Sequence, residues 1–419
     1  MTQEIKIKVK DVFSHAIIVF ILIATVNYFA QPDFSKFSFI NKRIKEHNHS
    51  QKIAPNRLYI NVWRNTKQEF YDSSMNNQDW NRWKYKYLKH IKTNEDADIA
   101  INTMLASLND PKTKFLSSSS FKKRKTIIDS EFTGIGILFD KTGEKIVVNH
   151  VLDNSSAKTN EVQTGDIIVA VNGKDISYLE KEKILDLIET KKEKKISIVV
   201  NRNGKLLKKE LEINTVQIKT IEYEITTDNI GIIRITNLMG EKAIIDFVNA
   251  ITATNKTKGL IIDLRNNFGG MLENAIEMSN YLFNHKKIVT IKTKKNKNYE
   301  IFAGNESIFK TKPIIILVNK STASASEILA GTLQENLNAK ILGEKTYGKN
   351  SIQQVIPLAN KTGLIITSGK YILPSGKDIH NKGIEPDILE ASSIIKINDK
   401  PLEKALNIIR QQDSRIKKN

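Results

Sequence analysis

Residues 12–30 form a long apolar run broken only by Ser14, His15, Thr25 and Asn27. As a helix rising ~1.5 Å per residue it reaches about 28 Å, enough to cross a hydrocarbon core. Lys6, Lys8 and Lys10 precede it, which favours a cytoplasmic N-terminus (residues 1–11) and places everything downstream on the far side. The exit Asn27-Tyr28-Phe29-Ala30-Gln31 lacks small residues at both positions of a cleavage site, so a retained anchor is preferred to a cleaved signal that would release the chain. Residues 31–54 are polar, carry Pro32 and Pro55 near their ends, and read as a linker.

Further on, the period of the apolar positions changes twice. From 55 to 128 it is helical. The aromatics Trp63, Phe70, Tyr71, Trp80, Trp83 and Tyr87, with Ile99, Ile101, Met104, Leu105 and Leu108, are expected to supply a core. Asn109-Asp110-Pro111 closes the last helix, because the residue before a proline is pushed out of the helical region. Between 129 and 215, short β-rich runs at 135–139, 146–148, 167–171 and 196–200 surround a helix at about 179–190, with Ile184, Leu187 and Ile188 on one face. This composition suits a small, partly open β-barrel or sandwich.

From 216 to 395 strands and helices alternate. Strands are expected at 232–235, 260–264, 288–291 and 314–318, and helices at 241–254, 272–284 and 324–337. Such alternation predicts an α/β core with a mainly parallel sheet and covering helices. Residues 396–419 hold a short amphipathic helix and a charged tail.

Composition narrows the chemistry. There are no cysteines, which excludes disulfides, thiolate metal sites and a cysteine nucleophile. The net charge of +19 comes from lysines spread along the whole chain without a nucleic-acid recognition signature, so no nucleic acid is expected as a partner. No HExxH or clustered His and carboxylates suggest a metal, and no cofactor is expected.

One stretch carries candidate catalysis. Val318-Asn319-Lys320-Ser321-Thr322-Ala323-Ser324-Ala325-Ser326-Glu327 leaves a buried strand, turns through small residues and enters a helix with Leu329, Leu333 and Leu337 at four-residue spacing. A nucleophile at such a turn stands proud of the sheet beside free N–H groups at a helix start. A serine-rich helix start is by itself more often a simple cap. Asp263-Leu264-Arg265-Asn266-Asn267-Phe268-Gly269-Gly270 leaves another strand at a glycine pair, where backbone N–H groups lie exposed. Tyr347-Gly348-Lys349-Asn350 leads into a strand at 351–357, where Lys349 and Gln353, four apart, are expected on one face.

These three segments resemble those of the carboxyl-terminal processing proteases, serine peptidases that carry a PDZ domain. Asp110-Pro111-Lys112-Thr113-Lys114-Phe115-Leu116 and the stretch from Pro374 to Asp387 are similar to that family as well. The resemblance implies Ser324 as nucleophile, Lys349 as base 25 residues later, and Gln353 as the group that orients the lysine. It also implies that the N–H groups of Gly270 and Ala325 hold the oxyanion, with Gly269 the near alternative. Phe268 stands where that family usually has proline. A lysine acts as a base only when neutral, so its pKa must fall from about 10.4 toward 7–8 through desolvation or nearby positive charge. A Ser–His–Asp triad is disfavoured because neither His285 nor His380 lies in a segment that obviously approaches Ser324.

Thr133-Gly134-Ile135-Gly136-Ile137 and Gly165-Asp166-Ile167-Ile168-Val169-Ala170-Val171-Asn172-Gly173 resemble a PDZ domain. The resemblance implies a glycine loop that offers N–H groups to a peptide's terminal carboxylate. Gly134, Ile135, Gly136 and Ile137 are the peptide-binding candidates, with Ile184 and Ile188 flanking the last side chain. The expected partners are protein or peptide substrates with accessible, apolar C-termini. Two functions follow: an endopeptidase that cleaves extracytoplasmic proteins recognised by their tails through an acyl-enzyme, or an inactive adaptor that binds tails without cutting.

Overall fold

The computed structural model describes residues 51–416 except 129–130, 153–154, 180, 189–193, 218–219, 295–296, 306 and 392–398. Among the described residues no helix is long and apolar enough to cross a membrane. The expected anchor at 12–30 and the linker before residue 51 lie outside them. The chain forms two compact units. One comprises the described residues to Phe121 with Ile221–Leu238 and everything from Lys242; the other comprises Lys122–Thr220 with Met239–Glu241.

The first unit opens with helices α1 (Pro55–Glu69), α2 (Asn81–Lys86) and α3 (Asn94–Ala106). Pro55 starts α1 where a missing N–H costs nothing, and Thr93 with Asp96 forms a capping box on α3. Trp63 and Trp80 each donate the indole N–H to the other's carbonyl, at 2.9 and 3.2 Å. Tyr59, Trp63, Trp83, Ile101 and Met104 build a core completed by Leu358, Leu364 and Ile366 from far along the chain. Ile99, expected inside, is 63 % exposed. The inward stripe of α3 runs through Ala97, Ala100, Ile101 and Met104, and Ile99 falls on the opposite face. Strand β1 (Lys114–Leu116) follows, and helix α4 (Ser118–Ile128) passes from this unit into the second.

The second unit contains β2 (Glu131–Gly134), β3 (Ile137–Thr142), β4 (Lys145–Val151), α5 (Ser156–Thr159), β5 (Ile167–Val171), β6 (Lys174–Asp175), α6 (Lys181–Ile188), β7 (Lys195–Arg202), β8 (Lys205–Glu212) and β9 (Asn214–Gln217). Its main sheet has the order β3-β4-β5-β7-β8, with β6 on β5, and β2 pairs with β9 in a separate ribbon. Ile184 and Ile188 of α6 are buried among Ile146, Val148 and Ile168, whereas Leu187 turns outward and is 36 % exposed. A helix of two turns buries positions four apart, and residue 187 lies off that line.

The first unit resumes with β10 (Ile221–Ile225), β11 (Gly231–Ile235), α7 (Lys242–Thr254), β12 (Leu260–Asp263), α8 (Leu272–Asn280), β13 (Lys287–Thr293), β14 (Asn298–Phe302), β15 (Ile314–Val318), α9 (Ala325–Leu337), β16 (Lys340–Gly343), β17 (Ser351–Pro357), β18 (Gly363–Ile372), β19 (Ile388–Leu389) and α10 (Lys400–Ile416). Six strands in the order β10-β11-β12-β15-β16-β19 form the expected sheet, parallel from β11 onward. The strand expected at 288–291 does not join it. As β13 it pairs antiparallel with β14 and β18 in a second sheet. The sequence carries the reason: β12 and β15 are buried at every position, as a covered parallel sheet demands, whereas β13 interleaves lysines and threonines with isoleucines.

Helix α10 covers the outer face of the parallel sheet through Ala405 and Ile409. Its start is tied to the loop after β12 by Arg265. That guanidinium donates to both carboxylate oxygens of Asp263 at 2.9 and 2.7 Å, and to those of Asp399 at 2.6 and 2.7 Å. The bond from Arg265 holds Asp399 below the usual aspartate range, so this contribution is present above that range and is lost as pH falls through the lowered value. Arg265→Ala strands the buried Asp263 and is expected to cost about 3 kcal/mol in denaturant unfolding at neutral pH. A change within about 0.5 kcal/mol would mean that the pairs contribute nothing.

Candidate active site

Ser324 sits between the end of β15 and the first residue of α9, with φ 58° and ψ −122°. This is a left-handed conformation that a residue with a Cβ rarely adopts, and the surroundings must hold it there. Two loops do so. Ala323 N–H donates to the Asn267 carbonyl at 3.0 Å, and the Thr322 hydroxyl donates to the Leu264 carbonyl at 2.8 Å. Gly269 lies so close that a Cβ there would be 2.9 Å from Ser324 Cβ and 2.7 Å from the Ala323 oxygen, so only glycine fits.

The fully buried Glu327 joins the serine turn to the lysine loop. Its Oε2 accepts from the N–H of Ser324 at 2.8 Å and from that of Lys349 at 2.9 Å. Its Oε1 accepts from the Thr346 hydroxyl at 2.5 Å and the Gly348 N–H at 2.7 Å. Burial pushes this carboxyl above the ordinary glutamate range, against the pull of the four donors. Tyr371, also buried, places its hydroxyl 3.0 Å from the Ser324 carbonyl and 2.8 Å from that of Lys349. Burial, followed by the nearby Glu327 and Asp378, keeps this phenol protonated. Ser324 and Lys349 are thus brought side by side through their backbones.

The glycine pair divides its N–H groups. That of Gly269 is engaged by Asn267 Oδ1 at 2.9 Å, and the Asn267 amide in turn donates to the Ile235 carbonyl at 2.8 Å. The flanking bonds Leu238 N–H to Gly269 O and Met271 N–H to Leu238 O leave the Gly270 N–H without a protein acceptor among the described residues. The N–H of Ala325, first in α9, is in the same position. Phe268 is 73 % exposed and leaves both glycines in place.

Lys349 is half-buried in the loop that precedes β17. The strand-period argument that put Gln353 on its face therefore fails: Lys349 is outside the strand, and a register irregularity falls between Ile352 and Gln353. The Gln353 amide nitrogen contacts Thr367 Oγ1 at 3.5 Å. The segment of His380 comes nearer than expected, since Asn381 N–H donates to the Gly348 carbonyl at 2.9 Å. Even so, no hydrogen bond runs from the His380 ring to Ser324 among the described residues, and His285 lies by Ala303 and Gly304.

In the second unit, Gly136 has φ 89° and no room for a side chain, because a Cβ would fall 2.0 Å from that of Ser155. The Ile135 and Gly136 carbonyls accept from Ala157 and Leu152, both at 2.9 Å, while their N–H groups donate to no protein group among the described residues. Gly134 ends β2, Ile137 begins β3, and β3 is an edge of its sheet. Ile184 and Ile188 are wholly buried in the domain core.

Glu327, Tyr371 and Asn267 had no assigned role in the sequence. Glu327 stands within the quoted motif, yet three of its four donors lie 19 to 22 residues away, so local pattern alone does not reveal its task.

Comparison with known proteins identifies the domains and the family. Residues 229–389 match the model of peptidase family S41, residues 126–201 that of the PDZ domain, and residues 55–106 that of the tricorn protease C1 domain. A carboxyl-terminal-processing protease of Picosynechococcus is 31% identical over 342 residues, 79% of this chain and 82% of its own length. A carboxy-terminal-processing protease of Bartonella bacilliformis is 35% identical over 301 residues, 69% of this chain and 68% of its own. Among solved structures, a photosystem II D1 C-terminal processing protease aligns with TM-score 0.57 and 26% identity, covering 84% of this chain and 97% of that one. The protein is a serine-type peptidase joined to a PDZ domain. It belongs to the carboxyl-terminal processing proteases.

Proposed function

We propose that the protein cleaves extracytoplasmic proteins gripped by their C-terminal tails, with Ser324 as nucleophile and neutral Lys349 as its general base. The observation that carries this reading is the single Glu327 oxygen shared by the N–H groups of Ser324 and Lys349. The lysine amine takes the serine proton as the hydroxyl attacks the scissile carbonyl, then returns it to the leaving amine. The N–H groups of Gly270 and Ala325, without an acceptor among the described residues, receive the oxyanion of each tetrahedral intermediate. Gln353, through its amide oxygen, orients the lysine amine without adding a charge. Water then releases the acyl group from Ser324.

In the PDZ unit, the N–H groups of Ile135 and Gly136 take the terminal carboxylate, and the tail pairs along the open edge of β3. The lysine-flanked apolar segment 12–30 anchors the chain, with its catalytic part outside the cytoplasm; cleavage there would release the same enzyme. A C-terminal processing peptidase of Tetradesmus obliquus, 28% identical, is chloroplastic, which fits work outside a cytoplasm.

Acid quench during turnover of a loosely folded, tailed substrate, followed by peptide mass spectrometry, is expected to find the acyl group on Ser324. The rate is expected to climb from about pH 7 to 9 as a lysine base loses its proton. An acyl group elsewhere, or a rate flat across that range, removes the dyad. Amidating the substrate's C-terminus is expected to slow cleavage at least about tenfold, mainly through KM; unchanged turnover removes tail recognition.

A further inference from the structure

Gln353 raises a question that the dyad leaves open: an amide has an oxygen end and an NH2 end, and only the oxygen accepts a hydrogen from the lysine amine. We propose that Asp110, acting through Thr367, fixes which end of Gln353 faces Lys349, and is therefore a positioning residue for the base. The proposal rests on the Ser324–Lys349 reading and deepens it.

The geometry runs in one direction. Asp110 Oδ2 accepts from the Thr367 hydroxyl at 2.6 Å and from the Thr113 hydroxyl at 2.7 Å. Its Oδ1 accepts from the Lys112 N–H at 3.1 Å. The Thr113 oxygen in turn accepts from Thr367 N–H at 3.1 Å, so Asp110 is pinned to β18 at two points. A hydroxyl has one hydrogen, and that of Thr367 is committed to the carboxylate. Toward Gln353, then, Thr367 presents only lone pairs. The contact it makes is to the Gln353 amide nitrogen, at 3.5 Å, which directs the NH2 end to Thr367. The oxygen end is left for the amine of Lys349, which the proposed dyad brings to Gln353 in the substrate complex, where catalytic hydrogen bonds tighten.

Thr367 and Thr113 are buried, so water offers little competition for these hydrogens. Asp110 stands more than two hundred residues from β18, immediately before the proline that closes the first helical region. Its carboxylate therefore does more than cap a turn: it sets the hydrogen order of a short relay, Asp110 to Thr367 to Gln353.

Asp110→Asn reverses that order. The new amide donates to Thr367, whose hydroxyl then turns its hydrogen toward Gln353 and favours the oxygen end there. The NH2 group is left facing the lysine, donor against donor with the ammonium and competing with the Ser324 hydroxyl for the lone pair of the neutral amine. The test measures kcat, KM and the pH profile for Gln353→Ala, Asp110→Asn, Thr367→Val, Thr367→Ser and the Asp110→Asn, Gln353→Ala pair, each checked for an unchanged unfolding midpoint. We expect kcat to fall roughly tenfold in Asp110→Asn and Thr367→Val with KM nearly constant, and Thr367→Ser, which keeps the hydroxyl, to stay near wild type. The acid limb of the Asp110→Asn profile is expected at lower pH, because an ammonium without its acceptor is less favoured. In the Gln353→Ala background, Asp110→Asn should add nothing, since there is no amide left to orient. If Asp110→Asn misfolds, Thr367→Val and Thr367→Ser carry the same comparison. Multiplied losses in the double variant, or an impaired Gln353→Ala beside an unaffected Asp110→Asn and Thr367→Val, overturn the role of Asp110 and leave the dyad standing. A Gln353→Ala enzyme equal to wild type removes the orienting glutamine itself, and this inference with it.

Discussion

Ser324→Ala is expected to lower cleavage of a tailed substrate by about ten-thousand-fold or more, and Lys349→Ala by a similar factor. In the proposed mechanism the hydroxyl supplies the bond-forming atom and the amine takes up its proton, so neither is expected to work without the other. For the same reason the double variant should be little worse than either single one. Neither change should unfold the protein: the bonds that hold the two residues in place run through their backbone N–H and C=O groups, which alanine keeps. The measurement is kcat/KM with purified variants, alongside their unfolding midpoints. Lys349→Ala retaining more than about a tenth of wild-type kcat would exclude it as the base.

Glu327 carries the second large effect. Glu327→Gln looks conservative and is not. Both carboxylate oxygens already accept two donors each, so the NH2 group of a glutamine must face two of them. The Ser324 turn and the Lys349 loop would separate at one end or the other, and a displacement of about 1 Å at reacting groups costs on the order of a hundredfold in rate. Unsatisfied buried donors are expected to lower stability by about 3 kcal/mol as well. The pH dependence has a definite sign. Burial raises this carboxyl in the folded protein, so the native state holds its proton more tightly than the unfolded chain does. The contribution favours folding below the ordinary glutamate range and is lost as pH rises through the raised native value. Denaturant unfolding at a series of pH values should show that component in the wild type and not in Glu327→Gln. Full activity in Glu327→Gln would show that the shared oxygen is dispensable.

How much of this was legible beforehand depends on the range over which each signal acts. The alternation of β11, α7, β12, α8, β15 and α9 was readable because each element declares its own period, and the small residues before Ser324 marked the strand-to-helix turn. Sheet membership was less so. β13 follows α8 in the chain yet pairs with β14 and β18, and only its interleaved lysines hinted at a half-exposed antiparallel strand. Lys349 is proposed as the base on its spacing from Ser324 within a family pattern, whereas the geometric argument that tied it to Gln353 fails at the irregularity after Ile352. The supports of the site were the least visible. Tyr371 joins Ser324 across 47 residues and Asp110 joins Thr367 across 257, and no local periodicity records either. In the PDZ unit the glycines stand out in the sequence, and Gly136 has no room for a Cβ. Ile184 and Ile188, read as flanks of the peptide's last side chain, are buried in the domain core, which the helical period alone does not tell apart from a pocket wall.

The oxygen of Glu327 shared by two chain segments also links how those segments come undone. The amide hydrogens of Ser324 and Lys349 lie on one acceptor, so an opening event that exposes either to solvent exchange disturbs the anchor of the other. The proposed nucleophile and base are therefore expected to fluctuate together: a loosened lysine loop should bring a loosened serine turn with it, so that a half-open molecule does not keep an assembled dyad to act on whatever chain lies nearby.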